Sequence, residues 1–166
     1  MNKIEIESWL NTNGVTNYRI YYDLSVDVDG NVDLSYKNLT NIPFKFGTVC
    51  GSFDISYNKL TTLNNSPNTV ERDFNCQQNR LASMAHCPTY VGRDINCSYN
   101  KLTSLEHLPP SVSNTLNASH NMLSSLKYCP SVIGRIFDCS YNNIQSLTYQ
   151  PSYTGKSFNY SNNLIT

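Results

Sequence analysis

Apolar and polar positions repeat along this chain with a period of 21 residues, without insertion or deletion from residue 53 onward. One repeat position always holds a large apolar residue: Phe53, Phe74, Ile95, Leu116, Phe137 and Phe158. Five residues later the chain always has asparagine: Asn58, Asn79, Asn100, Asn121, Asn142 and Asn163. Leucine or isoleucine follows two residues after that: Leu60, Leu81, Leu102, Leu123, Ile144 and Ile165. A fixed period of this size predicts a solenoid of stacked coils, each in contact with its neighbours.

A single repeat predicts the path of one coil. In residues 93–113, RDINCSYNKLTSLEHLPPSVS, Ile95 and Cys97 alternate with polar residues, which is typical of a short half-buried strand. Stacked strands about 4.8 Å apart would form a parallel sheet on the concave side. A proline then follows in five successive repeats: Pro67, Pro88, Pro109, Pro130 and Pro151. Because proline fixes φ and has no N–H, the convex side is predicted to be extended or polyproline-like. The expected fold class is a mainly β repeat solenoid.

The recurring asparagine is interpreted as a structural ladder. Its side chain carries both a hydrogen-bond donor and an acceptor. It can therefore satisfy backbone groups that are left free where the chain turns out of the sheet. Stacked asparagines can also bond to the neighbouring coil.

The segment Phe53 to Leu60, FDISYNKL, fits the leucine-rich repeat pattern LxLxxNxL. Residues 102–123 resemble the short repeats of bacterial effector leucine-rich repeat proteins, including a Leu-Pro on the convex side. Residues 26–60 are similar to the opening of small leucine-rich repeat proteins of tailed bacteriophages. The resemblance to the fold covers residues 26–166. It implies a leucine-rich repeat solenoid that binds proteins, and it implies a bacteriophage origin.

The two ends depart from the repeat. Residues 1–30 are expected to form an N-terminal cap, with a short helix over 3–12 and strands near 18–23 and 25–28. Residues 31–166 are expected to form about seven coils, the first with Lys37 at the asparagine position. No capping unit is visible at the other end, so the strand near Phe158 is predicted to have an exposed edge that can pair with another chain. Further sequence, a partner or a second copy is expected to cover that edge.

Composition narrows the function classes. Twelve basic and twelve acidic residues cancel, which argues against nucleic-acid or anionic-membrane partners. No stretch approaches a membrane span, and the start MNKIEIESWL lacks a signal-peptide layout, so a cytoplasmic protein is expected. Cys76, Cys97 and Cys139 share a repeat position with Leu34, Ile55 and Ala118, and no CxxC pair exists. The cysteines are therefore predicted to be buried free thiols, and neither a metal nor a cofactor is expected.

The candidate site is the outward side of the concave strands. Polar strand residues such as Asp54 and Ser56, an aromatic residue next to the asparagine and a basic residue at the start of most strands are expected to face outward in three rows, and tyrosine is favoured at recognition surfaces. The candidate partner-binding residues are Asp54, Tyr57, Arg72, Asp73, Arg93, Asp94, Tyr99, His120, Arg135 and Tyr141. The alternative is that repeat duplication copied these residues without a function. No serine or cysteine motif lies beside a histidine, so catalysis is not expected.

Two hypotheses follow from this pattern. In the first, the chain is a non-enzymatic phage protein that binds a host protein, for example an anti-phage defence protein, and inhibits it sterically in the host cytoplasm. In the second, it is a structural or virion protein that self-assembles through the uncapped C-terminal edge.

Overall fold

The structure is a computed structural model that describes residues 1–165. It is a mainly β, parallel-stranded solenoid of about six turns with one short N-terminal helix. The fold class predicted from the period is thereby confirmed.

The N-terminal segment combines a helix with a hairpin. Helix α1 (Lys3–Thr12) begins at Asn2, whose side chain accepts the Glu5 N–H while the Glu5 carboxylate accepts the Asn2 N–H. This reciprocal capping satisfies two N–H groups that a helix start leaves free. Strands β1 (Tyr18–Ile20) and β2 (Val26–Val28) pair antiparallel, and β2 continues the solenoid by parallel pairing. Ile6 and Leu10 of α1 are buried in the core, and Trp9 packs edge-on against Phe44 at 5.2 Å.

Seven parallel strands form the sheet on one side, which we call the front sheet. They are β3 (Val32–Asp33), β5 (Phe53–Asp54), β7 (Phe74–Asn75), β9 (Ile95–Asn96), β11 (Leu116–Asn117), β13 (Ile136–Asp138) and β15 (Ser157–Asn159). Pairing follows the repeat, so Phe53 lies beside Phe74 and Asp54 beside Asn75. Seven strands enclose about six complete turns, whereas about seven coils were predicted.

The opposite side is also extended, as the prolines predicted, and the structure adds hydrogen-bonded strands there. These back strands are β4 (Phe46–Val49), β6 (Thr69–Val70), β8 (Tyr90–Val91), β10 (Ser111–Val112), β12 (Val132–Ile133) and β14 (Tyr153–Thr154). They belong to two sheets: β1, β2, β4, β6 and β8 form one, and β10, β12 and β14 form the other.

The interruption between the two back sheets coincides with a second proline in one coil. At the equivalent position of other coils, Thr89 donates its N–H to the Asn68 carbonyl at 2.9 Å, and Ser131 donates to the Pro110 carbonyl at 3.0 Å. Pro110 has no N–H to donate to Thr89. The ladder therefore lacks one bond at the point where the sheets separate.

Between the front and back strands lies one continuous apolar core. Its rows follow the repeat, and the row on the front strands is fully buried at Phe53, Phe74, Ile95, Leu116 and Phe137. The next row contains the predicted inward thiols Cys76, Cys97 and Cys139, which are also fully buried. Residues 1–165 contain one short helix. No helix in this part of the chain has the length and apolar character that crossing a bilayer requires.

Candidate binding surfaces

A row of residues with left-handed backbone borders the front sheet where each strand ends. We call it the aromatic row: Tyr36, Tyr57, Gln78, Tyr99, His120, Tyr141 and Asn162, with φ between 51° and 56°. Each coil is tied to the next at this position; the Tyr99 N–H, for example, donates to the Ser119 carbonyl at 3.1 Å. A left-handed backbone favours glycine or asparagine, and a larger side chain there costs about 1 kcal/mol or more.

Five of these seven positions carry rings, and the rings stack on one another. Tyr36 and Tyr57 are 4.3 Å apart between ring centroids. His120 is sandwiched between Tyr99 and Tyr141, at 4.1 and 4.2 Å, with all three rings within about 10° of parallel. Tyr99 is 45% exposed and Tyr141 52% exposed. Stacked neighbours restrict each ring, so this surface loses less conformational entropy when a partner covers it.

The aspartate and asparagine side chains on the front strands have a structural task. Each accepts a hydrogen bond from the N–H two residues later in its own coil, as Asp54 does from Ser56 at 2.8 Å. The same bond is made by Asp33, Asn75, Asn96, Asn117, Asp138 and Asn159. Asp54 also accepts a bond from Asn75 at 2.9 Å. Ser56, expected to face outward with Asp54, is buried. Local turn formation thus explains the residue types in this row.

A basic row borders the front sheet on its other side, where each strand begins. Arg72, Arg93 and Arg135 are exposed, and their coils are joined by backbone bonds such as Arg93 N–H to the Arg72 carbonyl at 3.0 Å. Asp73 lies 3.8 Å from the Arg93 guanidinium and accepts a bond from the Ser52 hydroxyl. The ion pair between Asp73 and Arg93 is solvent-exposed, and such pairs add little stability. The Arg93 side chain therefore remains available to bind a partner.

Asp94 lies beside this basic row and is half-buried. Its carboxylate accepts the Thr115 N–H of the following coil at 2.8 Å. Like Asp54, Asp94 is hydrogen-bonded within the solenoid, although part of its side chain remains exposed to solvent.

The two rows lie on opposite margins of one face. Arg93 and Tyr99 are six residues apart along the coil and lie on either side of β9, so their Cα atoms are at most roughly 20 Å apart at 3.3 Å per residue. The structure therefore brings Tyr99, His120 and Tyr141 together, and separately places Arg72, Arg93 and Arg135 along one margin. It does not join the two groups into one pocket.

The asparagine ladder lies just inside the aromatic row. The Asn79 amide donates to the Ile55 and Cys76 carbonyls at 2.9 and 3.1 Å, and its oxygen accepts the Leu60 N–H at 2.9 Å. The other five asparagines likewise donate to a carbonyl of the preceding coil and accept an N–H from it. Each side chain thus joins its own coil to the preceding one.

A second corner of the solenoid carries residues that sequence reasoning did not connect. Asn65, His86, His107, Tyr128 and Tyr149 share one repeat position and a left-handed φ between 66° and 72°. Each is the third residue of a tight turn, such as the one closed by Cys87 N–H to the Met84 carbonyl at 2.9 Å. His86 and His107, together with Lys45 and Ser66, line a cleft of about 680 Å³. The signal was available in the sequence, because the two histidines are one period of 21 residues apart.

The six cysteines are free thiols, but they are not all buried as predicted. Cys50, which follows β4, is exposed, and Cys129 is half-buried, although Cys87 at the same repeat position is buried. Burial raises the pKa of Cys97 and Cys139 to about 12. Even for Cys50 the pKa is raised, first by desolvation and then by the nearby Glu71 carboxylate. Thiols with raised pKa are poor nucleophiles at neutral pH.

Within residues 1–165, no group of three or more histidine, cysteine, aspartate or glutamate side chains is arranged to hold a metal ion.

Comparison with known proteins adds no relative. No protein-family model, no curated protein and no solved structure matches this chain.

Proposed function

We propose that this chain is a leucine-rich-repeat-type binding module of a bacteriophage, which binds a host protein in the host cytoplasm and inhibits it sterically without catalysis of its own. The observation that carries the proposal is the exposed stack of Tyr99, His120 and Tyr141 beside the front sheet. Three nearly parallel rings in successive coils form an aromatic strip beside the front sheet. Such strips supply contact area at low entropy cost.

The choice of residue at these positions supports a role outside the fold. Asparagine fits a left-handed backbone better than tyrosine does, and Asn162 occupies the equivalent position of the last coil. The chain nevertheless uses rings at most of these positions, at a cost in backbone strain. Strained residues kept at an exposed surface are typical of functional sites.

The size of the surface favours a protein as the partner. Arg93 lies before β9 and Tyr99 lies after it, so a partner that contacts both must span the front sheet. A protein interface of standard size covers about 800 Å² on each partner, which is large enough to do so. Arg93 is exposed and only loosely paired, so it can bind a carboxylate of the partner. Occupation of the partner's working surface would then be the mechanism of inhibition.

The repeat class and the phage origin rest on the sequence. The motif FDISYNKL and the similarity of residues 26–60 to small phage proteins support them. The asparagine after each front strand bonds two coils together, which is consistent with the role of that residue in a leucine-rich repeat.

The test replaces the rings with a residue that suits the backbone. The triple variant Tyr99→Asn, His120→Asn, Tyr141→Asn keeps the left-handed turns and removes the aromatic strip. The control variant Tyr128→Asn, Tyr149→Asn makes the same change at the second corner. Tagged proteins are used to capture partners from bacterial lysate, and the captured host protein is identified by mass spectrometry and titrated against each purified variant.

We expect the triple variant to lose about 100-fold or more in affinity, since one hot-spot ring contributes about tenfold or more and the contributions of neighbouring rings are not fully additive. Its thermal midpoint should equal or exceed that of the wild type. The control should bind like the wild type. Undiminished binding by the triple variant, or an equal loss in the control, would refute the assignment of the aromatic row as the binding surface.

A second candidate function is self-assembly, which one observation favours. Within residues 1–165, β15 pairs only with β13, and Phe158 is half-buried where its equivalents Phe53 and Phe137 are fully buried. An unpaired strand edge can accept another chain. If this is the function, the protein should form dimers or larger species in light scattering. Tyr160→Lys, which places a charge beside this edge, should make them monomeric.

A further inference from the structure

The cleft at the second corner is built from equivalent positions of successive coils. Lys45 and Ser66 occupy one repeat position, and His86 and His107 occupy another, each 21 residues apart. Asn65 and Asn68 also line the cleft. The cleft volume of about 680 Å³ lies in the range of small-molecule sites.

The side chains around the cleft are basic or neutral. The lining includes Lys45, His86 and His107, and it includes no aspartate or glutamate. Acidic and basic residues are equally numerous in the chain, twelve of each, so this local excess of basic groups is a property of the cleft. An anion bound here would meet positive charge and N–H donors without a competing carboxylate in the lining.

Ser66 provides an independent indication of a ligand. The residue is only 6% exposed, and its hydroxyl has no hydrogen-bond partner among residues 1–165. Its backbone N–H is already used by the Leu63 carbonyl at 2.9 Å, so the turn does not need the hydroxyl. Buried hydroxyls are almost always paired. Ser66 lines the cleft, and its hydroxyl, which is covered in this structure, would reach a ligand there by rotation of the side chain.

We propose that this cleft binds a phosphoryl group, held by Lys45, His86 and His107 and by the Ser66 hydroxyl. A phosphoryl group offers three acceptor oxygens and up to two negative charges, which matches several separate donors better than a single carboxylate does. A metal ion does not fit, because Lys45 carries positive charge and no set of three metal ligands is present within residues 1–165. The site lies at a different corner from the aromatic row, so the inference goes beyond the proposed function and is independent of it.

The experiment uses the full chain and three probes: inorganic phosphate, adenosine monophosphate and adenosine. Imidazole signals of the three histidines are followed by NMR during titration, at constant ionic strength maintained with chloride. Phosphate should shift the signals of His86 and His107 and leave His120 unchanged. Tighter binding of the monophosphate than of phosphate would identify a phosphorylated molecule as the ligand, and equal affinity would identify free phosphate. Adenosine should not bind.

Variants then test the named donors by calorimetry. His86→Asn is compatible with the left-handed turn, because Asn65 occupies the equivalent position. Combined with Lys45→Gln, it should weaken phosphate binding about tenfold or more. Ser66→Ala should also weaken binding about tenfold, while its thermal midpoint stays the same or rises because an unpaired buried hydroxyl is removed. Tyr149→Asn is the control, because Tyr149 occupies the equivalent position of a coil that does not line the cleft, and it should bind phosphate like the wild type.

The proposal is overturned if phosphate up to about 20 mM, a range that covers the weak binding expected of so small a ligand, leaves the His86 and His107 signals unchanged. It is also overturned if the Lys45→Gln, His86→Asn variant and Ser66→Ala bind phosphate as tightly as the wild type does.

Discussion

Substitution of Asn79 by alanine should remove a large share of the stability of this solenoid. The Asn79 oxygen accepts the N–H of Leu60, a residue with no exposed surface, at 2.9 Å. Its amide donates to the Ile55 and Cys76 carbonyls at 2.9 and 3.1 Å. Asn79 itself is 9% exposed, so water has little access to the groups that the substitution would leave.

The magnitude follows from which groups lose their last partner. The Ile55 carbonyl keeps a bond from Asn58, and the Cys76 carbonyl keeps one from Asn100. The Leu60 N–H loses the acceptor that Asn79 provides, and an unpaired buried donor costs about 1–3 kcal/mol. The two lost amide bonds contribute about 1 kcal/mol each. We therefore expect a loss of about 3–5 kcal/mol in the free energy of unfolding, a large fraction of the ~5–15 kcal/mol typical of a domain.

The matched control is Asn163→Ala in the last coil. Asn163 makes equivalent bonds to the Cys139 carbonyl and the Ile144 N–H, but it is only half-buried. Water can replace much of what is lost there, so the expected cost is about 1 kcal/mol. A third variant, Asn79→Asp, keeps the shape of the side chain and the oxygen that accepts the Leu60 N–H. Its second oxygen replaces the amide nitrogen and therefore faces the Ile55 and Cys76 carbonyls without a hydrogen to donate. It should be at least as damaging as alanine if hydrogen bonding, and not packing, is the role of the ladder.

The assay is urea unfolding followed by far-ultraviolet circular dichroism, with the free energy obtained by linear extrapolation. Fluorescence of the single tryptophan, Trp9 in α1, reports on the N-terminal segment. Coincidence of the two transitions tests whether that segment and the coils unfold together. A cost below about 1 kcal/mol for Asn79→Ala, or equal costs for Asn79→Ala and Asn163→Ala, would contradict the assignment of buried bonds to the ladder.

Two further predictions concern close packing and alkaline pH. A Cβ at Gly134 would lie 1.9 Å from the Ser113 carbonyl oxygen, whereas one at Gly14 would meet nothing within 4 Å. Gly134→Ala should therefore cost about 3 kcal/mol or more, and Gly14→Ala, with only its positive φ to strain, about 1 kcal/mol in urea unfolding. Similar costs for both would show that the coils can move apart. Burial raises the pKa of Cys97 to about 12, so the folded state retains a proton that the unfolded chain loses near pH 9. Stability from this thiol is full below pH 9 and falls by about 1.4 kcal/mol per pH unit up to about pH 12. Cys97→Ala, as at the equivalent Ala118, should lose less thermal stability than the wild type between pH 8 and pH 10, and an identical decline would contradict this linkage.

The arrangement of the core could be predicted from the sequence, because residues that contact each other in a solenoid occupy equivalent positions of adjacent repeats. A residue such as Phe74 packs against the residues one period before and after it, at Phe53 and Ile95. The period therefore determined strand pairing, register and the buried rows without knowledge of the whole fold. The asparagine ladder was recognisable for the same reason, since its donors and acceptors meet the adjacent coil.

The surface depended on backbone geometry that the period does not encode. The positive φ of Tyr99 and His86 turns both side chains outward at corners of the coil, and no sequence pattern gives the sign of φ for tyrosine or histidine. The use of Asp54 in a turn bond likewise depends on where the Ser56 N–H lies after the strand ends.

The sequence by itself determined the coil, its stacking and its core, because burial of apolar side chains repeats with the chain. The tertiary structure alone decided which polar and aromatic groups remain free to bind. That outcome depends on which donors and acceptors neighbouring coils have already satisfied, as the contrast between the occupied carboxylate of Asp94 and the free hydroxyl of Ser66 shows.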